Sequence, residues 1–345
     1  MDIPQELKNQ IDKISINQHL KIIEESKSIS KRYRENDSRG TKLVKKHTEA
    51  LAYAISRMPA TYCAVYKALS FTLKNYNYTI KSFLDIGAGT GAATWAVANL
   101  LDLEKILCLE REQEMRKIGN KLMQQHIPIA EWINFDLTQN EIQENADLVI
   151  ASYIINELNE QDRKNSILKM WNATNGILLI LEPGTPKGFS HILEVRKLLL
   201  EQGANIIGPC THTQECHISK DDWCSFYARV PRSKLHKQAK NGELGYEDEK
   251  FSYIAFSKFP IKQNEAVILR HPQINSGYIK VKLCTKNGII EKVFSKKDKD
   301  IYKKVKKLNA GKTPEQIVAE IKPEKKTYGK FHVDPATKNA RNLKY

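Results

Sequence analysis

The stretch Phe83-Leu84-Asp85-Ile86-Gly87-Ala88-Gly89-Thr90-Gly91 decides the fold of this chain. Its first four residues form a short, mainly apolar run, and apolar residues recur at helical spacing from Thr94 to Leu101. A glycine-rich turn between a strand and a helix brings the backbone close to a ligand, beside the helix N-terminus. The G-x-G-x-G spacing, two residues after Asp85, differs from the G-x-G-x-x-G fingerprint of dinucleotide-binding folds. We therefore predict a ligand-binding loop in an α/β fold.

Apolar runs and amphipathic stretches alternate after residue 82. The runs lie at 83–86, 106–109, 132–135, 148–151 and 177–181. Helix-like stretches lie between them at 94–101, 112–123 and 163–174. This alternation is typical of βαβ units around a parallel sheet. Further strands are predicted at 204–207 and 251–256, on either side of a cysteine-containing insertion.

Composition and length limit the classes of protein that are possible. The chain has 345 residues, 41% of them hydrophobic and 28% charged, which is typical of a globular protein and excludes collagenous and wholly disordered classes. No apolar run approaches the ~18 to 20 residues of a membrane span, and the N-terminus shows no leader pattern. We expect a soluble, cytoplasmic protein. Three parts are predicted: a helical domain at 1–80, an α/β domain at 81–260, and a basic region at 261–345.

Positive charge is concentrated near the C-terminus. The net charge of the chain is +15, and residues 285–345 hold 17 Lys and Arg against 7 Asp and Glu. Such a basic segment is the expected electrostatic footprint for a nucleic acid. The alternative is a solvated lysine-rich surface that aids solubility.

The loop at residues 85–91 resembles the first motif of class I S-adenosylmethionine-dependent methyltransferases. The resemblance implies that Gly87, Gly89 and Gly91 approach the cofactor and that Asp85 faces its methionine amino group. Glu110, 25 residues after Asp85, follows the second predicted strand, where an acid of that family binds the ribose hydroxyls. A carboxylate suits this role because it accepts two hydroxyl hydrogen bonds.

Asp136, at the end of the third predicted strand, matches the position that contacts the adenine amino group in that family. The alternative is a sheet whose loops are merely capped by Asp and Glu.

A methyl-transfer centre is not evident in the sequence. Residues 151–157 read Ala-Ser-Tyr-Ile-Ile-Asn-Glu and lack the Asn/Asp-Pro-Pro-Tyr/Phe loop of enzymes that methylate exocyclic amines of bases. Cys210 lies too late in the chain to be a cytosine-C5 nucleophile. Glu157 and Asp147, near the end of the fourth predicted strand, are the nearby acids, and both also suit surface or helix-cap roles. The catalytic residue is therefore left unassigned.

Cys210, Cys216, Cys224 and Cys284 are spaced C-x5-C, C-x7-C and C-x59-C. This spacing fits a zinc ribbon poorly, because such sites begin with closely spaced pairs. An iron–sulfur cluster also takes four cysteines and tolerates wider spacings. Spacing alone leaves metal binding and scattered thiols both open, while Cys63 and Cys108 stand apart as expected core thiols.

Several segments, taken in this order, are similar to the small-ribosomal-subunit methyltransferase-like family, whose best-known members are mitochondrial ribosome assembly factors. They are Arg57-Met58-Pro59-Ala60-Thr61-Tyr62, Leu181-Glu182-Pro183-Gly184-Thr185-Pro186-Lys187-Gly188-Phe189, Gly208-Pro209-Cys210-Thr211-His212, Asp222-Trp223-Cys224-Ser225-Phe226, Arg229-Val230-Pro231-Arg232-Ser233 and Arg270-His271-Pro272. The resemblance implies a class I methyltransferase fold that binds S-adenosyl-L-methionine. It also implies a [4Fe-4S] cluster in an insertion at about 208–250, and docking on the immature small ribosomal subunit.

The same resemblance places the cluster on Cys210, Cys216, Cys224 and Cys284. Because Cys284 lies 60 residues beyond Cys224, a shared cluster would staple the C-terminal part to the sheet domain. A redox role is the rival hypothesis. Basic residues interleaved with Trp223 and Tyr227 suit RNA, or support the cluster. They are Arg229, Arg232, His236, Lys237 and Lys240.

Three functions follow as hypotheses. The first is a small-subunit assembly factor that binds S-adenosyl-L-methionine and a [4Fe-4S] cluster and acts on 16S-type rRNA, as a monomer apart from the ribosome. The second is a non-catalytic RNA-binding chaperone with a relic pocket. The third, a small-molecule methyltransferase with a zinc staple, leaves the basic tail unexplained. Mitochondrial members of the family begin with a transit peptide, and the N-terminus here shows no such pattern. We therefore expect a bacterial-type cytoplasmic relative, or a matrix protein if the source is eukaryotic.

Overall fold

Within the described residues, four helices precede the first strand. The computed structural model describes residues 2–16, 18–35, 44–240, 242–308, 310–311 and 332–333. The helices are α1 (Gln5–Ser15), α2 (His19–Glu35), α3 (His47–Ser56) and α4 (Met58–Leu73). Leu7, Ile11 and Ile14 of α1 are buried at the i, i+4, i+7 spacing of one apolar helix face. None of the helices in the described ranges combines the length and apolar character needed to cross a membrane.

An eight-stranded sheet is formed by the described residues that follow α4. Its elements are β1 (Ser82–Ile86), α5 (Ala92–Ala98), β2 (Lys105–Glu110), α6 (Gln113–Met123), β3 (Ala130–Asn134), β4 (Ala146–Ser152), α7 (Glu160–Asn172), β5 (Thr174–Pro183), α8 (Pro186–Glu201), β6 (Asn205–Gly208), β7 (Phe226–Pro231), α9 (Lys234–Lys240) and β8 (Tyr246–Ser257). The strand order is β3-β2-β1-β4-β5-β8-β6, with β7 also paired to β8. Strands β1 to β5 are parallel, and β8 is antiparallel to β5. This is the predicted Rossmann-like fold of class I methyltransferases.

The carboxyl ends of the parallel strands form the edge where ligands bind in such sheets. The strand order reverses between β1 and β4, so the loops after these strands diverge and leave a crevice. The segments 148–151 and 177–181 are fully buried, because α4, α5 and α6 cover one face of the sheet and α7 and α8 cover the other. The sheet is therefore a rigid support for the loops at this edge.

Strand β8 has two partners on the edge opposite β5. Its C-terminal half pairs with β6, where Ile206 lies opposite Phe256. Its N-terminal half pairs with β7, where Phe226 lies opposite Phe251. The loop at 209–225 leaves the sheet between these partners and carries three of the four clustered cysteines. Strand β7 and helix α9 are elements that the sequence analysis did not predict.

A second, antiparallel sheet follows β8. It consists of β9 (Ala266–Ile268), β10 (Gln273–Ile274), β11 (Tyr278–Thr285), β12 (Gly288–Ser295) and β13 (His332–Val333), with helix α10 (Lys299–Val305). Ile279, Val281 and Leu283 alternate along β11 and pack with Val305 and Leu308 in a separate core. The sequence predicted only a basic region here. Residues 312–331 and 334–345, which carry much of the predicted basic segment, lie outside the described residues.

Candidate functional site

A cavity of about 610 Å³ lies at the carboxyl ends of β1, β2 and β4. The loop after β1 contributes Gly87 and Gly89 to one wall. The helical layer and α9 contribute Tyr53, Arg57 and Lys240 to the opposite wall. A concave site at the switch point of an α/β sheet is the usual place for a small ligand in this fold.

Asp85 organises the start of α5 and is not among the residues that line this cavity. One of its oxygens accepts hydrogen bonds from the backbone N–H of Thr94 at 3.1 Å and from the Thr94 hydroxyl at 2.7 Å. The other oxygen has no hydrogen-bond partner in the described part of the chain. Burial raises the pKa of Asp85 to about 7, although the Thr94 bonds oppose this rise. Asp85 therefore acts on the loop through α5, and its contact with a cofactor stays a prediction.

The glycines of the loop meet two steric demands. Gly87 and Gly91 have positive φ angles of +66° and +84°, which L side chains rarely adopt. A Cβ at Gly87 would lie 2.3 Å from the Ile154 side chain, so no larger residue fits there. Gly89 also has a positive φ, of +58°, and a Cβ there would lie 3.8 Å from the Tyr53 ring, an ordinary contact distance. Gly89 lines the cavity, and its backbone conformation alone favours glycine.

Glu110 ends β2 and lines the same cavity. Its two oxygens accept hydrogen bonds from the backbone N–H of Gly89 at 2.8 Å and of Glu112 at 2.7 Å. Burial raises the pKa of Glu110, and these two bonds oppose the rise. Each carboxylate oxygen has a second lone pair, so the group retains capacity to accept hydrogen bonds from a ligand. This geometry suits the predicted role toward ribose hydroxyls.

Asp136 lies two residues after β3 and also lines the cavity. Its Oδ1 accepts hydrogen bonds from the backbone N–H of Thr138 at 3.0 Å and from the Thr138 hydroxyl at 2.7 Å. The backbone N–H of Asp136 donates to Asn140 at 2.9 Å. This turn holds the carboxylate at the edge of the cavity. The structure thus brings Gly87, Gly89, Glu110 and Asp136 together, but not Gly91 or Asp85.

The two acids considered as a general base lie at opposite ends of β4. The carboxylate of Asp147 accepts hydrogen bonds from the backbone N–H groups of Lys81 and Ser82 at the amino end of the sheet. The prediction that placed Asp147 near the end of this strand is therefore wrong. Glu157 lies in a 3-10 turn after β4 and lines the cavity. Burial raises the pKa of Glu157 to about 8, so this carboxyl group is mostly protonated at pH 7.

Tyr153 follows β4 directly and has a strained backbone. Its φ of +61° is the one positive value among the non-glycine residues that the structure describes. Such a conformation costs on the order of 1–3 kcal/mol and persists where its surroundings enforce it, often at functional sites. The hydroxyl of Tyr153 donates to Glu249 on β8 at 3.1 Å, and the residue lines the cavity. The sequence carries no signal for this conformation.

Arg232 and Lys240 turn inward onto one carboxylate. Glu247 on β8 accepts hydrogen bonds from Arg232 at 2.7 Å and from Lys240 at 2.6 Å, and His236 lies 3.4 Å away. The side chains of Arg232 and Lys240 are only 14% and 16% exposed. Burial acts to raise the pKa of Glu247, but its three basic neighbours hold it well below the usual range. Arg232 and Lys240 thus pair with Glu247 at the cavity wall, and their contact with RNA stays a prediction.

Arg229 is the exposed member of the predicted basic group. Its side chain is 55% exposed, and its guanidinium donates two hydrogen bonds to Asp248 at 2.9 and 3.0 Å. The guanidinium carbon lies 4.1 Å from the ring centroid of Tyr246. Nearby, Lys67 lies 4.4 Å from the ring centroid of Tyr227. Cations and aromatic rings thus alternate on this face, where RNA binding stays a prediction.

Four cysteines from two parts of the chain line one small cavity, with about 30 Å³ of free space. Cys210, Cys216 and Cys224 come from the loop at 209–225, and Cys284 comes from β11. In the described ranges, no three His, Cys, Asp or Glu side chains stand close enough to hold a single metal ion. Four thiols around one cavity are the number of ligands that an iron–sulfur cluster takes, and a structural zinc ion takes the same number.

The remaining cysteines, Cys63 and Cys108, are buried in the main core, as expected of packed thiols. They take no part in the cavity that the other four line.

Asp222 joins the cysteine loop to the second sheet. Its carboxylate accepts hydrogen bonds from Arg270, and from Lys282 of β11 at 2.9 Å. Arg270 also donates to the carbonyl of Trp223 at 2.5 Å. The Trp223 indole donates in turn to the carbonyl of Gly184 at 3.0 Å. The loop is therefore tied to the second sheet on one side and to the end of β5 on the other.

Residues 47–313 match the family model described as "Mitochondrial small ribosomal subunit Rsm22". Because this match covers well over half of the 345 residues, the chain belongs to the Rsm22 family. The predicted resemblance to small-ribosomal-subunit methyltransferase-like proteins is thereby confirmed.

Curated relatives include two mitochondrial proteins. The human ribosome assembly protein METTL17 is 25% identical over 232 residues, which cover 61% of this chain and 49% of that protein. The Rsm22-cox11 tandem protein 2 of Schizosaccharomyces pombe is 25% identical over 240 residues, which cover 61% of this chain and 32% of that protein. The chain thus spans about half the length of the first relative and about a third of the second.

Solved structures with some similarity are methyltransferases. Magnesium protoporphyrin IX methyltransferase ChlM from Synechocystis is 11% identical, with a TM-score of 0.40, over 67% of this chain and 91% of that one. N-methyltransferase NodS from Bradyrhizobium japonicum is 13% identical, with a TM-score of 0.38, over 56% of this chain and 93% of that one. The fold assignment rests on the strand order above and not on these two structures.

Proposed function

We propose that this chain is a methyltransferase-like assembly factor of the small ribosomal subunit that binds S-adenosyl-L-methionine and a [4Fe-4S] cluster. Membership of the Rsm22 family and the similarity to the human ribosome assembly protein METTL17 support the ribosomal part. The observation that carries the cofactor part is the convergence of Gly87, Gly89, Glu110 and Asp136 on one cavity. The relatives are mitochondrial by name, which supports the matrix as the location if the source is eukaryotic.

The cavity suits the chemistry of S-adenosyl-L-methionine. In this proposal Glu110 accepts hydrogen bonds from the ribose hydroxyls, Asp136 contacts the adenine amino group, and the backbone at Gly89 lies against the ligand. Acids on the sheet side face Arg57 and Lys240 on the helical side, so a zwitterionic methionine group meets charges of both signs. When bound, the cofactor supplies an electrophilic methyl group on its sulfonium.

The four clustered cysteines are the proposed cluster ligands. Three lie on the loop at 209–225, and Cys284 lies on β11, so a shared cluster connects the loop to the second sheet. When the site is not preformed in the unfolded chain, the free energy of metal binding adds to the stability of the fold. The cluster therefore acts as a staple in this proposal.

The first experiment is anaerobic purification with iron and sulfide analysis, on the wild-type protein and on Cys284→Ser and Cys63→Ser. We expect about four irons per chain and a brown chromophore, lost in C284S and kept in C63S, because Cys63 is buried away from the site. A colourless wild-type protein after anaerobic reconstitution, or one holding a single zinc, contradicts the cluster. Equilibrium dialysis with S-adenosyl-L-methionine tests the other cofactor independently.

A non-catalytic RNA-binding chaperone is the second candidate. The segment at 151–157 favours it, because it lacks the Asn/Asp-Pro-Pro-Tyr/Phe loop of enzymes that methylate exocyclic amines of bases. Immature small subunits incubated with methyl-labelled S-adenosyl-L-methionine separate the two functions. Label in the rRNA, absent with Glu110→Gln, supports an enzyme. Subunit binding without label supports the chaperone.

A further inference from the structure

Arg196 is a buried cation with no carboxylate partner among the residues that the structure describes. It lies on α8 and is 6% exposed. No salt bridge within the described ranges involves it, whereas Arg163 on α7, 8% exposed, has Glu194 at 2.7 Å. An uncompensated buried ion costs several kcal/mol, so a compensating negative group is expected beside Arg196.

The guanidinium of Arg196 faces the cysteine loop. One nitrogen donates to the carbonyls of His212 at 2.9 Å and Gln214 at 2.5 Å. Its Nε has no hydrogen-bond partner in the described part of the chain. The side chain lines the cysteine cavity together with the four cysteines. Two carbonyls supply dipoles but no negative charge, so they do not neutralise the cation.

Two other basic side chains near the loop are matched by a carboxylate. Arg270 and Lys282 share the carboxylate of Asp222. The ring of His212 stacks on His217 with centroids 4.3 Å apart. Arg196 is therefore the cation best placed to act on a group held by the cysteines.

We propose that Arg196 is the counter-ion of the group held by Cys210, Cys216, Cys224 and Cys284, and that its charge raises the reduction potential of that group. This inference rests on the proposed [4Fe-4S] cluster. Four thiolates make such a cluster an anion, and each added electron makes it more negative. A nearby buried cation thus stabilises the reduced form more than the oxidised form, and hydrogen bonds to sulfur act in the same direction.

The test is a redox titration of the anaerobically purified full chain, with dithionite as the donor of one electron per cluster and electron paramagnetic resonance as the readout. The variants are Arg196→Gln, which removes the charge, and Arg196→Lys, which keeps it. Arg163→Gln is the matched control, because it removes a buried arginine that has its own carboxylate. We expect a more negative midpoint for R196Q, and midpoints close to wild type for R196K and R163Q.

The outcomes separate this inference from the proposed function. A wild-type protein without iron and sulfide contradicts the cluster itself. A loaded R196Q protein with the wild-type midpoint overturns the role of Arg196 and leaves the cluster intact. If R196Q holds no cluster, R196K decides: a cluster with the wild-type midpoint supports the charge role. A folded R196K protein that also lacks the cluster overturns the charge role of Arg196. Cluster assembly would then depend on the hydrogen bonds that the guanidinium donates to the loop, and not on its positive charge.

Discussion

Replacing Asp85 by Asn is expected to change how the stability of this protein depends on pH. Burial raises the pKa of Asp85 in the folded chain from 3.8 to about 7. Between these values the folded protein binds a proton at Asp85 more tightly than the unfolded chain does. The stability that protonation contributes is therefore fully present below about pH 4 and is lost as the pH rises toward 7.

The size of this effect follows from the pKa shift of Asp85. A rise of about 3 pK units, at about 1.36 kcal/mol each, corresponds to about 4 kcal/mol of unfolding free energy. Asn keeps an oxygen that accepts both hydrogen bonds from Thr94, but it buries no charge at any pH. Its amide nitrogen replaces an oxygen that has no partner in the described ranges, which adds a constant cost of about 1–3 kcal/mol. From pH 4 to pH 8, the free energy of unfolding of D85N relative to that of wild type should thus rise by about 4 kcal/mol.

Urea denaturation at several pH values, followed by tryptophan fluorescence, measures this difference, and the buried Trp95 next to Thr94 reports on α5. Asp147→Asn is the matched control on the same sheet. Burial acts to raise the pKa of Asp147, but its hydrogen bonds to Lys81 and Ser82 lower it overall. Asp147 thus contributes stability at neutral pH that is lost in acid, so its pH dependence is opposite in sign to that of Asp85. If plots of unfolding free energy against pH run parallel for D85N and wild type from pH 4 to pH 8, Asp85 is ionised in the folded protein throughout this range. That result refutes the reasoning.

Three further substitutions test the cavity and its supports. Glu110→Gln should weaken S-adenosyl-L-methionine binding about 10- to 150-fold by calorimetry, since a hydrogen bond to a charged group is worth about 1.5–3 kcal/mol; unchanged affinity removes Glu110 from the ribose site. Glu247→Gln should lower the free energy of unfolding in urea by about 3–5 kcal/mol because it leaves buried cations unpaired. A loss below about 1 kcal/mol would mean that the group behaves as a surface pair. Gly91→Ala should lower thermal stability more than Gly203→Ala, because its Cβ would lie 1.9 Å from the Met123 methyl while Gly203 has no neighbour within 4 Å. Equal losses would show that only the positive φ matters.

The main sheet and its glycine loop could be predicted because their signals are local. The run at 106–109 lies within β2 (Lys105–Glu110), and the run at 148–151 lies within β4 (Ala146–Ser152). Strands buried on both faces are continuously apolar, so they stand out from the amphipathic helices between them. Glu110 and Asp136 reach one cavity because parallel strands end at the same edge of the sheet.

The second sheet was not predicted, although β11 carries a signal for it. Ile279, Val281 and Leu283 alternate with Lys280 and Lys282, which is the period of a strand with one buried face. The loop between β11 and β12 is two residues long and is followed by Gly288 with φ of +125°. High positive charge dominates this region and masks the alternation.

The inward orientation of Arg232 and Lys240 has no local signal. Their partner Glu247 lies on β8, and the pairing of β7 with β8 brings these groups together. Spacing within α9 predicts only that basic groups share a short helix. The carboxylate that gathers them depends on tertiary structure, so the same residues fit a surface footprint equally well when only the sequence is considered.

The segment at 182–188 shows how packing explains a motif that the sequence offers only as a resemblance. Glu182 is fully buried, with His191 of α8 at 3.5 Å, and Pro183 lines the cavity at the carboxyl ends of the strands. A Cβ at Gly184 would lie 2.7 Å from the backbone of β8, so glycine is required there. Thr185 then accepts a hydrogen bond from the backbone N–H of Gly188 and caps α8. Gly184 and Thr185 thus have a steric and a hydrogen-bonding cause, respectively.

The same turn connects the two candidate sites. The carbonyl of Gly184 accepts the indole N–H of Trp223 from the cysteine loop, one residue after Pro183 in the cavity wall. Helix α8 begins at the turn and carries Arg196 to the carbonyls of that loop. A displacement of the loop at 209–225 therefore acts at the turn after β5 and, through Arg196, on the C-terminal half of α8. Contact of this kind is a physical route between the cysteines and the cavity, and coupling along it requires that the loop have two arrangements. Among the ion pairs described, the one between Asp222 and Lys282 joins the loop to β11, so the proposed cluster would add a second connection between these segments and its loss would leave that ion pair.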